Sequence, residues 1–176
     1  MSIEQSAALV EAVLFLENEP VEPALLRRIT GLNRDQLLEV IHELRSRYAG
    51  EAHGMEIAEL GGGYTFVVKQ KLWEMLKPRY GKRSEGKLSR AALETLSIIA
   101  YSQPVTRQEI ESIRGVSADS MIKLLASKNL IREVGKKQVP GRPVQYGTTK
   151  EFLKTFRLAS IADLPKLDEL DAEKFE

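Results

Sequence analysis

The segment PVTRQEIESIRGVS (residues 104–117) decides the fold, because it specifies two short helices joined by a tight turn. Thr106 and Glu109 have the spacing of a capping box, which predicts that a helix begins directly after Thr106. Gly115 is expected to end that helix in the left-handed conformation, which glycine adopts without steric cost. Ser117 has a side chain suited to capping the next helix. Helix, glycine turn and helix together predict a helix-turn-helix unit.

The same pattern occurs earlier in the chain, at a distance of 84 positions. Without a gap, Pro20-Val21 aligns with Pro104-Val105 and Gly31 aligns with Gly115. The other matched pairs are Ala8-Leu9 with Ala92-Leu93, Ile29 with Ile113, and Asp35 with Asp119. A gapless match of turn residues and apolar residues indicates one small module that is present twice.

Each helix-turn-helix unit is preceded by an apolar helix and followed by strand-like segments. The apolar helices are predicted over residues 4–17 and 89–101. Alternating apolar residues around a glycine turn predict a first β-hairpin over residues 55–68, and a second over residues 130–148. Three helices and a hairpin make a winged helix. The predicted fold class is therefore mainly α with small β-hairpins (α+β), in two tandem winged-helix domains.

This reading divides the chain into four regions with different charge. We predict an N-terminal winged-helix domain (1–80), a linker (81–88), a C-terminal winged-helix domain (89–167) and an acidic, disordered tail (168–176). Residues 1–69 hold 6 basic and 11 acidic side chains, whereas residues 70–90 hold 7 and 2. Residues 91–156 hold 10 and 6, and residues 157–176 hold 3 and 6. These differences indicate either charged partner-binding surfaces or ordinary solvated faces.

No pattern of catalytic, cofactor-binding or metal-binding residues is found in the sequence. The chain has no cysteine, and its two histidines, His42 and His53, lack a neighbouring acid–base or metal-ligand pattern. Phosphate-loop and dinucleotide fingerprints are absent, as are a signal peptide and an apolar run long enough to span a bilayer. We therefore expect no catalytic residue, no cofactor, no metal and no membrane contact. The expected role is binding rather than catalysis.

Winged helices often bind DNA, so a DNA-binding transcriptional regulator is the alternative function. The third helix of the first module is acidic, with Asp35, Glu39 and Glu43, and would repel phosphate. The equivalent helix of the second module has few basic residues. Lys136, Lys137 and Arg142 of the second wing are suited to phosphate contacts. We expect DNA binding to be indirect, or weak and nonspecific.

The second module also carries longer signatures, which extend the interpretation beyond the fold. They are residues 100–106, 113–116, 130–131 and 141–149, with residues 152–153 and 163–165 further along the chain. In these segments the sequence closely resembles the bacterial segregation and condensation protein B (ScpB) family. The resemblance implies a non-catalytic, cytoplasmic, nucleoid-associated subunit that forms a homodimer through its N-terminal modules. It also implies binding to the kleisin ScpA, which connects the subunit to the SMC ATPase in chromosome condensation and segregation.

Two sets of candidate contact residues follow from the resemblance and from the apolar character of the first helix. The candidates for kleisin binding are Tyr101, Gln103, Arg114, Arg142 and Tyr146. The first helix is apolar nearly all round, which indicates cover on more than one side. The candidates for the dimer interface are therefore Val10, Leu14 and Phe15. The alternative in both cases is structural, with core packing for the first helix and turn or wing packing for the second module.

Overall fold

The structure, a computed structural model, describes residues 2–80 and 88–165, which form two separate modules. The chain divides into two compact units between residues 83 and 84. Each unit is a winged helix, so the predicted fold class is confirmed. The predicted linker (81–88), apart from its last residue, and the predicted acidic tail (168–176) lie outside the described residues.

The first module contains four helices and a two-stranded antiparallel hairpin. Their bounds are α1 (Ile3–Leu16), α2 (Pro23–Thr30), α3 (Arg34–Ala49), β1 (Met55–Leu60), β2 (Gly63–Val68) and α4 (Gln70–Tyr80). Capping explains the helix starts, since Ser2 and Asn33 each form a capping box and Pro23 occupies the first turn of α2. The hairpin turn needs glycine, because Gly61 and Gly62 both have positive φ.

The second module repeats this order and adds elements at its sheet and its C-terminal end. Its bounds are α5 (Arg90–Ser102), β3 (Val105–Thr106), α6 (Arg107–Arg114), α7 (Asp119–Ser127), β4 (Ile131–Lys136), β5 (Val144–Thr148) and α8 (Lys150–Thr155). One turn of 3-10 helix follows at Ile161–Asp163. The sheet has the antiparallel order β3-β5-β4, with Val105 opposite Tyr146 and Ile131 opposite Thr148.

The glycine turns agree with the sequence prediction, but one cap does not. Gly31 and Gly115 have φ of 74° and 71° and end α2 and α6 as expected. The predicted cap Ser117 is wrong, because Ala118 takes the N-cap position of α7. The Glu111 carboxylate of the preceding helix accepts from the Ala118 N–H at 3.0 Å and from the Ser117 hydroxyl at 3.2 Å. A carboxylate from α6 thus replaces the local hydroxyl cap.

The repeat is real, but its spacing of 84 does not extend through the whole module. The C-caps of the first helices are Glu17 and Gln103, which are 86 positions apart. With this offset, four buried positions of α1 and α5 coincide. The pairs are Ser6 with Ala92, Val10 with Leu96, Val13 with Ile99, and Leu14 with Ala100. The first module has a longer connection after its first helix, so the match of Ala8-Leu9 with Ala92-Leu93 does not mark equivalent positions.

Each module has its own apolar core. The core of the first module contains two of the three residues predicted for the dimer interface. Val10 and Leu14 are buried among residues of α2, α3 and the hairpin in the first core. The expectation that they form a dimer interface is therefore wrong, because burial of these side chains holds α1 onto its own module. Phe15 alone of the three points to solvent. Within the described ranges no helix is long and apolar enough to cross a membrane.

Candidate partner-binding surfaces

A groove of about 390 Å³ opens between the helix-turn-helix unit and the wing of the second module. We call it the wing groove. Its lining residues are Arg107, Gln108, Asp119, Pro140, Gly141, Pro143, Val144 and Tyr146. The helix residues come from the first turns of α6 and α7, and the others come from the wing loop and β5. Polar helix ends therefore face an apolar, proline-rich wall.

Ion pairs fix the helix side of the wing groove. The Arg107 Nη1 is 3.4 Å from the Asp119 carboxylate, and its Nε is 3.8 Å from Glu111. The hydrogen bond from Lys123 is the main reason why the pKa of Asp119 lies below its usual value. Because Arg107 is already engaged by carboxylates, its guanidinium is held as part of the wall.

A second ion pair joins the wing loop to the start of α6. The Lys137 ammonium donates to the Glu109 carboxylate, which also accepts from the Thr106 N–H and hydroxyl at 2.8 Å each. The Lys137 hydrogen bond, followed by those from Thr106, lowers the pKa of Glu109 from 4.5 to about 2. The capping-box carboxylate thus has a second role, since it anchors the base of the wing loop.

The wing groove brings together two of the five predicted kleisin contacts. Tyr146 lines it directly, and its neighbour in the sheet is Val105. Arg142 is exposed and lies between two lining residues, Gly141 and Pro143, so it stands at the rim. Its backbone has a positive φ of 40°, and its N–H donates to the Val139 carbonyl at 2.9 Å. Both residues remain candidates for partner contact.

Gln103 has a structural task at the end of α5. Its Oε1 accepts from the N–H of Thr148 at 2.8 Å and from the Thr148 hydroxyl at 3.1 Å. Its Nε2 donates to the Ala100 carbonyl at 3.1 Å. The amide thereby joins the first helix of the module to the last residue of β5, and its polar atoms are used inside the module.

Tyr101 is half covered by the C-terminal end of the described chain. Its hydroxyl donates to the Pro165 carbonyl at 2.6 Å, and 37% of the residue stays exposed. Leu158 and Leu164 of the same segment pack against the second core. The segment 158–165 therefore lies over the end of α5, and we call it the C-terminal strap. The sequence offered a signal for its turn, because Ser160 and Asp163 form a capping box.

Arg114 is the predicted contact that the structure contradicts. Only 6% of its side chain is exposed, and its Nη2 is 3.6 Å from the Glu94 carboxylate. Its Nη1 donates to the Ser117 carbonyl at 3.2 Å. A buried guanidinium held by the module itself cannot reach a partner without rearrangement. Arg114 is therefore a structural residue that ties α6 to α5 and to the start of α7.

The first module leaves apolar side chains uncovered at the end of α1. Phe15 and Leu16 are each 76% exposed. The helix turn before them lies beside the C-terminal end of α3, because Glu11 accepts from the Tyr48 hydroxyl at 2.7 Å and pairs with Arg47 at 3.3 Å. The uncovered residues therefore extend past the end of α3.

Helix α4 starts at the same end of the module. The Lys69 ammonium just before it donates to the carbonyls of Ala49 and Gly50 at the end of α3. None of the side chains of α4 is buried, although Leu72, Met75 and Leu76 lie on one helical face. We call Phe15, Leu16 and these three residues the α1–α4 surface. The sequence predicted Phe15 as an interface residue and a short helix from Leu72 to Tyr80, but not the apolar face of that helix, for which the spacing of Leu72, Met75 and Leu76 was the available signal.

The two surfaces carry different side-chain chemistry. In the part of the chain that the structure describes, no group of three or more His, Asp or Glu side chains is placed to hold a metal ion. The α1–α4 surface and the wing groove differ in polarity. The α1–α4 surface is apolar, whereas the wing groove is lined by charged residues as well as by prolines.

Comparison with known proteins adds a sequence relationship over nearly the whole chain. Residues 8–167 match the family described as segregation and condensation complex subunit ScpB. A relative named segregation and condensation protein B from Desulforamulus reducens is 41% identical over 170 residues, covering 97% of this chain and 93% of its own. A conserved hypothetical protein from Chlorobium tepidum, known from a crystal structure, is 35% identical with a TM-score of 0.43, covering 89% of this chain and 98% of its own. A crystal structure described as a dimer of the ScpB N-terminal domain complexed with a ScpA peptide is 25% identical, with a TM-score of 0.41 and coverage of 44% and 98%.

Proposed function

The chain belongs to the ScpB family of segregation and condensation complex subunits, and from this we propose that it is a non-catalytic subunit of a bacterial SMC–kleisin complex. It forms a homodimer, binds the kleisin ScpA, and reaches the SMC ATPase through the kleisin. Its place is the cytoplasm, on the nucleoid, where the complex condenses and segregates chromosomes. The observation that carries the proposal is that each module has an exposed surface, and that the two surfaces differ in chemistry. They are the α1–α4 surface of the first module and the wing groove of the second.

The α1–α4 surface is the proposed dimer interface. Large exposed apolar patches on one side of a small domain are typical of interaction sites. Phe15 and Met75, which are 76% and 77% exposed, supply side chains of the kind that form interface anchors. A two-fold axis through this end of the first module would bring the same patch of both copies together. Phe15 stays in the predicted interface, while Val10 and Leu14 support it from the core.

The mass of the protein in solution tests the dimer. Wild-type protein at micromolar concentration is expected to have twice the chain mass of 19.8 kDa in light scattering. Phe15→Glu places a charge in the apolar contact and should raise the dissociation constant at least about a hundredfold, which is about 2.7 kcal/mol. Ile113→Glu changes an exposed apolar residue of the second module and should leave the mass unchanged. A monomeric wild-type chain at this concentration rules out the dimer.

The wing groove is the proposed kleisin site. It is concave, has an apolar wall of prolines and Val144, and is also lined by Tyr146. Such a groove suits the apolar side chains of an extended or helical segment, with polar groups at its ends fixing the orientation. Among the predicted contacts, Tyr146 and Arg142 belong to this site. Tyr101 stays accessible only beside the C-terminal strap.

Charge reversal on the wing tests the kleisin site. Arg142→Glu should weaken kleisin binding about tenfold, or about 1.4 kcal/mol. Arg132→Glu is a matched control, because Arg132 is exposed on β4 and outside the groove lining. The control should change affinity less than about twofold. Equal affinities for both variants, measured by calorimetry with purified kleisin, would move the contact away from the wing.

The DNA-binding regulator remains the second candidate function, and the second wing is the observation in its favour. Lys136 and Arg142 are exposed there. The third helices argue against it, because the carboxylates of Asp119 at the start of α7 and Glu39 on α3 would repel phosphate. A footprint on one DNA sequence that survives about 0.2 M salt would support the regulator instead.

A further inference from the structure

The last residue of the second helix differs between the two modules. It is Thr30 in α2 and Arg114 in α6, and each directly precedes the left-handed glycine of its turn. The two positions are therefore equivalent, but one side chain is short and the other is long and charged. The consequence is seen in the space between the three helices of each module.

In the second module, Arg114 fills this space. Its guanidinium reaches the Ser117 carbonyl at the start of α7 and the Glu94 carboxylate on α5. Its Nε is fully buried and has no hydrogen-bond partner among the described residues. The arginine is thus enclosed by the first helix, the end of the second helix and the start of the third.

In the first module, a cleft of about 330 Å³ opens beside Thr30, the residue equivalent to Arg114. Its lining residues come from the same three places and are Ile3, Ser6, Thr30, Gly31, Leu32, Gln36, Glu39 and Val40. Thr30 does not fill it, because its hydroxyl turns back to donate to the Leu26 carbonyl at 2.7 Å. We call this space the α1–α3 cleft.

The lining of the α1–α3 cleft suits an arginine side chain. Ile3, Leu32 and Val40 offer apolar walls for a methylene stem, and Glu39 offers a carboxylate for a guanidinium. Glu39 is exposed and has no ion-pair partner in the described part of the chain. Ala8 stands where the second module has Glu94, and the carboxylate in the lining of the cleft is instead that of Glu39, which aligns with Lys123 of the second module. The surrounding segment, with 11 acidic and 6 basic residues in 1–69, also favours a cation.

We propose that the α1–α3 cleft binds an arginine side chain of a partner protein. The partner's arginine contacts the first module in the way that Arg114 contacts the helices of its own module. The partner is an arginine-bearing segment of the kleisin, and this part of the inference rests on the proposed function. The first module then binds the kleisin at a site separate from the α1–α4 surface. Arginine is preferred to lysine because its planar head matches a carboxylate and stacks in a narrow cleft.

The cleft itself is tested without the kleisin, by NMR titration of the full-length chain with N-acetyl-L-argininamide. The expected result is saturable shifts confined to the amides of residues 3–6 and 30–40, with millimolar affinity for a single side chain. The uncharged isostere N-acetyl-L-citrullinamide should bind at least about tenfold more weakly. Glu39→Gln should lose a similar factor. Absence of shifts at these amides, or equal shifts with the citrulline probe, overturns the proposal.

A filled cleft gives a second test on the same protein. The double variant Ala8→Glu with Thr30→Arg copies the arrangement of the second module and should abolish the argininamide shifts. Glu39→Lys removes the carboxylate at an exposed position and serves if the double variant does not fold. Undiminished shifts in a folded double variant, or in Glu39→Lys, contradict the assignment.

Kleisin binding then decides the partner. Glu39→Lys should weaken binding to purified kleisin about tenfold, and an Arg→Glu substitution at the contacting kleisin arginine should restore it. Glu51→Lys is the matched control, because it is exposed beyond the other end of α3 and should change affinity less than about twofold. Wild-type affinity for Glu39→Lys overturns the kleisin as partner. No binding of kleisin to the wild type contradicts the proposed function instead, while the argininamide titration still decides the cleft.

Discussion

Each module has an aromatic residue at the same position near the end of its first helix, but the two residues differ in how far they are covered. Phe15 and Tyr101 each lie two residues before the C-cap, at Glu17 and Gln103. The C-terminal strap covers Tyr101 and accepts a hydrogen bond from it, whereas Phe15 lies open to solvent. The second module therefore completes this surface from its own chain, and the first leaves it exposed.

The hairpins of the two modules also differ, in the length of the connecting loop and in the burial of an equivalent tyrosine. Val21 in the first module and Val105 in the second each pair with a tyrosine of the last strand, Tyr64 and Tyr146. A two-residue glycine turn closes the first hairpin tightly, and Tyr64 is buried with a pKa raised mainly by that burial. A longer loop connects the strands of the second hairpin, and Tyr146 lines the wing groove. The longer loop thus accounts for the wing groove of the second module.

The largest expected effects come from breaking one core at a time. Leu26 and Ile110 hold equivalent positions in the second helices, and both are fully buried. Leu26→Ala and Ile110→Ala should each destabilise their own module by about 2–5 kcal/mol, from lost burial and the cavity left behind. Hydrogen exchange should show faster opening of residues 2–80 in the first variant and of residues 88–165 in the second.

The exposed neighbours of these residues provide the controls for the core variants. Ile29→Ala and Ile113→Ala remove the same kind of side chain from exposed positions of the same helices. Each should change stability by less than about 0.5 kcal/mol. If either core variant accelerates exchange equally throughout both residue ranges, the modules do not unfold as the separate units that their cores indicate.

Removing the hydroxyl group of Tyr101 and adding one to Phe15 tests the difference between the two aromatic positions. Tyr101→Phe keeps the ring but removes the donor to Pro165, which should cost about 1 kcal/mol and speed amide exchange in residues 158–165. Phe15→Tyr adds a hydroxyl at a position that is open within the module, and should change the stability of the monomeric chain by less than about 0.5 kcal/mol. Unchanged exchange in the C-terminal strap of Tyr101→Phe would mean that Leu158 and Leu164 hold it without the hydrogen bond.

Local capping and turn chemistry made most of the fold predictable from the sequence. The capping box at Thr106 and the glycines after both second helices act within a few residues, and the structure has them as predicted. The wrong prediction at Ser117 has the opposite cause. Its hydroxyl is drawn to Glu111, a residue six positions earlier on another helix, and sequence spacing does not reveal that contact.

The candidate surfaces were less predictable, because exposure depends on tertiary packing. The apolar pattern of α1 cannot separate Leu14 from Phe15, which are neighbours in sequence but lie on opposite sides of the core boundary. Arg114 is a charged residue next to a turn, and only the contacts with Glu94 and Ser117 show that it is buried. The wing groove needs α6, α7 and the wing together, so its lining residues have no common sequence signal.

The smallest expected effect concerns the ion pair that only the second module has at its capping box. Glu109 has a folded-state pKa of about 2, below its usual 4.5, with the Lys137 hydrogen bond as the largest cause. A depressed carboxyl pKa means that the charged form stabilises the folded state. That contribution is therefore complete above about pH 4.5 and is lost as the pH falls towards 2.

The equivalent position of the first module is Leu25, which has no charge to lose. Protonation at this position should therefore lower the stability of the second module but not that of the first. In Lys137→Met the pKa of Glu109, measured by NMR of its side-chain carboxyl carbon, should rise towards the usual range. It should remain below that range, because the Thr106 donors still favour the carboxylate. Added salt should reduce the wild-type shift, since both partners are partly exposed. A Glu109 pKa that Lys137→Met leaves unchanged would show that the capping box alone holds the carboxylate, and that the wing loop is anchored by other contacts.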